Sequence, residues 1–201
     1  MKPYFPMFVP LEGRRALVVG GGAVALRKLE KLAPYGASIR VIAPQILPEI
    51  ETMQDVEPVR RAFQPSDLHE DWAFVIAATD DSRANHLIAE QCDHRHIPVN
   101  VVDDPAHCSF LFPALVQRGP FSVGISTGGA SPTAAIWFKE RIEAMAPERL
   151  EDILLWLHAQ RAALKTAIPE EQLRAAALRR LFAACMEKGA PLDDEETEGL
   201  L

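Results

Sequence analysis

The spacing of apolar and polar positions changes character partway along the chain. In the first half, short apolar runs alternate with stretches of helical period. Residues 15–20 ("RALVVG") are apolar and valine-rich, the mark of a buried strand. Residues 23–34 follow with Val24, Leu29 and Leu32 among their apolar positions, and Gly36 stands where a left-handed residue would stop a helix. Residues 38–43 ("SIRVIA"), 56–63, 72–78 ("WAFVIAA") and 98–102 ("PVNVV") read as further strands, with a helix over 81–95. Strands alternating with helices predict an α/β protein, a parallel sheet covered on both faces.

The second half is built differently. "SFLFPALV" (109–116) and "FSVGIS" (121–126) predict two short strands flanking a turn at "QRGP". A helix is expected to start at Ser131 with Pro132 in its first position. From Glu148 onward two helices are expected, parted at Pro169. Leu150, Ile153, Leu154, Leu157 and Leu164 form the stripe of one, and Leu173, Leu178, Leu181 and Phe182 that of the other. The tail "APLDDEETEGL" is acidic and predicts disorder. The expected layout is a Rossmann-type domain over 1–113, a small α+β segment over 114–147 and a helical domain over 148–201. There is no internal repeat.

Composition narrows the function classes. The 201 residues are 48% hydrophobic, enough for a real core. The net charge of −7 argues against a general nucleic-acid binder. No apolar run approaches the roughly 18 residues that a membrane span needs. The opening "MKPYFPMFVPLEG" lacks a signal-peptide core and cleavage site. Cys92, Cys108 and Cys185 are odd in number and lack metal-type spacing, as expected of reduced thiols in a cytoplasmic protein.

Three clusters carry candidate chemistry. Gly20, Gly22 and Ala25 fit G-x-G-x-x-A between a strand and a helix. The first glycine permits the tight turn, the second lets a pyrophosphate approach, and the small third residue packs helix on strand. The acid usually found after the second strand is missing: Ala43, Pro44 and Gln45 stand there, which leaves NAD against NADP open. The fifth strand runs into Asp103 and Asp104, where a substrate would meet a nicotinamide; "DDP" is also a good turn. His107 and Cys108 follow without a second metal-type pair, and His94 and His96 sit on an expected helix end. A dedicated structural metal site is therefore not expected, while a transient ion at Asp103 and His107 stays open. "STGGASP" (126–132) offers Thr127, Gly128 and a helix start at Ser131 as an anion cradle, with Ser131 as helix cap. Thr79 in "ATDD" is a candidate cofactor contact, and Asp81 a cap.

"VVGGGAVALRK", "AATDD", "NVVDDP", "SFLFPA" and "STGGASP" occur in this order in the precorrin-2 dehydrogenases, stand-alone relatives of the N-terminal module of siroheme synthase. The chain resembles that family over about residues 3–165. The resemblance implies NAD-dependent oxidation of precorrin-2 to sirohydrochlorin, and in some members insertion of ferrous iron. It implies a Rossmann domain, a dimerisation segment and a helical domain in a homodimer, without methyl transfer. Cofactor contacts fall at Gly22, Ala23, Val24, Pro44 and Gln45, and the missing acid becomes a family trait that favours NAD. The family's important aspartate aligns with Asp103, the expected general base. A serine of its "SSGG"-type loop aligns with Thr127, so a serine-specific modification is not carried over. Thr127, Gly128, Ser131 and His107 are the expected substrate contacts. Arg27, Lys28, Arg118, Lys139 and Arg141 are candidates for the substrate's carboxylates. The alternative from another class is a dinucleotide-sensing regulatory module without catalysis.

Overall fold

The computed structural model describes residues 4–69 and 71–201, which fall into two compact units, one Phe5–Phe112 and the other Pro113–Leu201 together with Tyr4. In the first, five strands form a wholly parallel sheet: β1 (Arg15–Val19), β2 (Ser38–Ala43), β3 (Val56–Arg60), β4 (Phe74–Ala77) and β5 (Val99–Val101). Their order is β3-β2-β1-β4-β5, the first five strands of the six-stranded Rossmann order, with β1 at the centre. Every residue from Ala16 to Val19 is buried, as a central parallel strand covered on both faces requires.

The strand period sorts the core into two layers. Ala16, Val18, Ile39, Val41 and Ile76 meet Ala25, Leu29 and Leu32 of α1 (Ala23–Leu32) and Ile50 of the short α2 (Pro48–Glu51). On the other face Leu17, Val19, Ile42, Val75 and Ala77 meet Ile88, Ala89 and Cys92 of α3 (Ser82–His94), with Leu68 and Trp72. Shifting a strand by one residue would exchange these two layers, so the register is strongly specified.

Three strand expectations need correction. The third strand ends at Arg60 rather than 63: Arg61 turns away to grip Asp67 with two bonds of 2.8 and 2.6 Å. The fourth begins at Phe74, because the buried Trp72 leaves the sheet and donates its indole N–H to the Asp67 carbonyl at 2.8 Å. Residues 109–112 are no strand. Ser109 is stitched to both the N–H and the carbonyl of Val99, and Phe110 packs edge-on against Phe74.

In the second unit, β6 (Ala114–Arg118) and β7 (Phe121–Ile125) form an antiparallel hairpin. Helix α4 (Pro132–Met145) lies against it. Helices α5 (Leu150–Ala167) and α6 (Glu171–Lys188) pack together around Ile153, Leu164, Ala177, Leu181 and Cys185. The second stripe is only half right, since Leu173 and Phe182 face solvent. The tail is not disordered. Asp193 and Glu196 form a reciprocal capping box that starts α7 (Asp194–Glu198), and Leu192 is buried in the helical core. Asp193 and Leu192 are the two residues that composition outweighed in the sequence reading.

Candidate active site

The turn after β1 shows why three glycines stand in a row. Gly20 has φ +124°, and a side chain there would meet the Ala78 carbonyl at 2.2 Å. Gly21, which the spacing left unassigned, is equally constrained: a Cβ would lie 2.3 Å from the Gln45 carbonyl. Its own carbonyl accepts from Leu47 at 2.9 Å, fastening the Pro44–Gln45 loop to the turn. Gly22 is the exception, because a Cβ there would meet nothing within 4 Å. It precedes α1, and no side chain caps that helix.

This arrangement fits a dinucleotide. The N–H groups of Ala23, Val24 and Ala25 lie in the uncapped first turn of α1, where an anion is favoured. The open space at Gly22 lets a pyrophosphate reach them, and a methyl group would occupy that approach. Pro44 and Gln45 are exposed beside the turn, with no carboxylate to hold ribose hydroxyls. Thr79 is committed locally: its hydroxyl bonds Asn85 at 2.7 Å, and Asn85 donates back to its carbonyl at 2.9 Å. Asp81 caps α3 through the N–H groups of Arg83 and Ala84, as expected.

Asp103 follows β5 with φ +58°, a left-handed conformation that costs a non-glycine residue of order 1 kcal/mol. Its side chain is exposed at the carboxyl edge of the sheet. Lys28 reaches toward the same edge from α1, donating to Asn100 at 3.3 Å with its ammonium 4.2 Å from the Phe112 ring centre. Burial pushes the Lys28 ammonium below its ordinary value of 10.5, with Lys31 adding to the shift; the charges of Cys108 and Asp103 oppose it. The sequence marked Lys28 only as one basic residue among several.

The second aspartate is engaged elsewhere. Asp104 accepts from His107 Nδ1 at 2.6 Å and from His86 Nε2 at 2.8 Å, and the two rings stack 4.3 Å apart. Partial desolvation alone would raise the Asp104 carboxyl; the His86 and His107 hydrogen bonds outweigh it and hold the group below its ordinary value. The structure thus joins His107 to Asp104 and His86, not to Asp103. The sequence reading missed His86, since nothing local announces a partner 18 residues away. The thiols are quiet: burial pushes Cys92 up to about 12 and also raises Cys108 and Cys185.

On the second unit, the 126–131 loop is internally bonded. Thr127 Oγ1 accepts from the Ser131 N–H and donates to its carbonyl, both at 3.1 Å. Ser131 caps α4 by accepting from Ala134. Gly128 and Gly129 have φ of +61° and +85° with open space where side chains would stand.

A parallel sheet with a glycine turn opening onto an uncapped helix defines a Rossmann-type dinucleotide-binding protein. Comparison with known proteins agrees. A family described as putative NAD(P)-binding matches residues 7–114, more than half of the chain, and the chain belongs to that family. A second family, described as sirohaem biosynthesis protein central, matches residues 118–145. Similar proteins include a siroheme synthase of Thioalkalivibrio sulfidiphilus, 39% identical over 89% of this chain and 37% of that protein. Another, from Photorhabdus laumondii, is 44% identical over 73% of this chain and 32% of that protein. The chain therefore spans well under half the length of these relatives. Among solved structures, SirC, precorrin-2 dehydrogenase, shares the fold, with a TM-score of 0.75 and 24% identity over 98% of this chain and 96% of that one.

Proposed function

We propose that the chain is an NAD-dependent precorrin-2 dehydrogenase, forming sirohydrochlorin in siroheme biosynthesis. The observation that carries the reading is one unit holding both an open, uncapped glycine turn at Gly22 and an aspartate in a left-handed conformation beyond β5. The siroheme synthase relatives and the fold shared with a precorrin-2 dehydrogenase support the choice of substrate.

NAD⁺ supplies the hydride acceptor. The first N–H groups of α1 hold the pyrophosphate, and Pro44 and Gln45 flank the ribose side. Asp103 acts as general base, taking the proton released as the substrate carbon gives up its hydride. Lys28, with its proton affinity lowered, orients anionic substrate at the same sheet edge. In the second unit, Thr127, Gly128 and the α4 start at Ser131 are proposed as a carboxylate-binding loop in their own right. Insertion of Fe²⁺ into the product is a second proposed activity, with Asp103 accepting pyrrole protons. The reading also takes the chain as a cytoplasmic homodimer. Free Cys92, Cys108 and Cys185 support the first, and the exposed Ile136, Trp137 and Phe138 of α4 the second.

The test is NAD⁺-dependent loss of precorrin-2 with appearance of sirohydrochlorin absorbance. Asp103→Ala is expected to lower kcat at least 100-fold while NAD⁺ still binds. Normal turnover by that variant removes the assignment of Asp103. NAD⁺ binding by the wild-type chain without consumption of precorrin-2 would instead make it a dinucleotide sensor. Sirohydrochlorin with Fe²⁺ tests insertion, and a rate equal to the protein-free control confines the chain to oxidation.

A further inference from the structure

A group at the carboxyl end of β5 that takes no part in the proton and hydride transfers has the composition of a metal site. His86 projects from the second turn of α3. Asp104 precedes, and His107 ends, the 3-10 turn Pro105–His107. Residues three apart eclipse in such a turn, so Asp104 and His107 meet by local geometry. His86 arrives independently from the neighbouring helix, whose first turn is fixed by the Asp81 cap. One ligand atom from each of the three side chains lies within 4.8 Å of the others.

We propose that His86, Asp104 and His107 bind a divalent first-row transition-metal ion. Two imidazole nitrogens and one carboxylate oxygen suit Zn²⁺, Co²⁺, Ni²⁺ or Fe²⁺ and disfavour Mg²⁺ and Ca²⁺, which take oxygen ligands. A bound ion would stand about 2.0–2.2 Å from each ligand, holding nitrogen and oxygen roughly 3 Å apart. The two nitrogens already lie 2.6 and 2.8 Å from the same Asp104 oxygen. Both rings are about half exposed, at 50% and 48%, so they have room to rotate into place. Three protein ligands leave the remaining coordination positions to water, an open site rather than a closed structural one. Asp103, although adjacent in sequence, is not part of the group.

The site is tested without any turnover assay, so it stands or falls apart from the dehydrogenase reading. The full chain, stripped with a chelator, is titrated with Co²⁺ and followed by its visible d–d absorption. One equivalent is expected to saturate the signal, and Zn²⁺ to displace it while equimolar Mg²⁺ does not. His86→Ala and His107→Ala are each expected to weaken binding at least tenfold, and the double variant to abolish it. His158→Ala, on α5, should bind as the wild type does. Circular dichroism and NAD⁺ binding check that each variant is folded, and His86→Gln and His107→Gln replace any alanine variant that is not. Absence of saturable binding overturns the proposal, as does full binding by the double variant. A thiolate-to-cobalt charge-transfer band overturns it too, because the ion would then be held by Cys108.

Discussion

Gly20 and Gly22 look alike in the sequence but answer to different constraints. Gly20 is required by the protein's own backbone, with positive φ and the Ala78 carbonyl where a side chain would go. Gly20→Ala is expected to destabilise the fold by at least about 2 kcal/mol, read from urea unfolding. Gly22 has open space and φ −89°, so Gly22→Ala should unfold at the wild-type midpoint. That variant should nevertheless bind NAD⁺ at least tenfold more weakly by calorimetry, the methyl group standing in the pyrophosphate's approach. Unchanged affinity would show that the turn does not hold the phosphates. Asp67 is a structural counterpart. It is 8% exposed, pairs with Arg61 and accepts from the Gln64 N–H at 2.8 Å, and the Arg61 hydrogen bonds hold its carboxyl below the ordinary 3.8. A carboxyl depressed on folding stabilises above its unfolded value and loses that contribution as pH falls through the folded one. Unfolding between pH 6 and 2 should therefore show a loss of stability below about pH 4 that Asp67→Asn lacks. At neutral pH the variant should cost about 1–2 kcal/mol, moderated by solvent around the half-exposed Arg61.

At the scale of elements, period and caps set the strands and helices, and contacts set their ends. The apolar run of β4 and the valines flanking Asn100 in β5 were legible; the loss of Trp72 from β4 was not, because the Asp67 carbonyl that receives its indole is supplied by the 3-10 turn Pro65–His69. The acidic tail makes the same point. Its net charge favours solvent, yet Asp193 and Glu196 satisfy each other's backbone N–H groups and Leu192 anchors the segment. Asp193→Ala is expected to cost about 1 kcal/mol. It should also raise hydrogen exchange across Asp194–Glu198, with little change in α5. Wild-type protection across α7 would mean that Leu192 alone holds it.

For the whole molecule, helix α4 carries more apolar surface than its own unit covers. Ile136, Trp137, Phe138 and Met145 are between 45% and 77% exposed, while Ala135 is its one buried residue. Exposed apolar side chains of this kind suit the interface of a symmetric dimer. Light scattering should give twice the 22.2 kDa chain mass, and Trp137→Ser with Phe138→Ser should shift it toward the monomer. A wild-type monomer would remove the dimer from the proposal. The sequence by itself determined the parallel α/β domain, the glycine turn, the caps at Asp81 and Ser131, and the pair of C-terminal helices. Each is written in spacings of a few residues, where backbone sterics and side-chain period act locally. Only the tertiary structure decided that Gly21 is fixed by Gln45, that Lys28 meets Asn100 across 72 residues, and that His107 joins His86 on Asp104. Those partners come from separate elements, and they meet only once the hydrophobic layers have packed α1 and α3 onto opposite faces of one sheet.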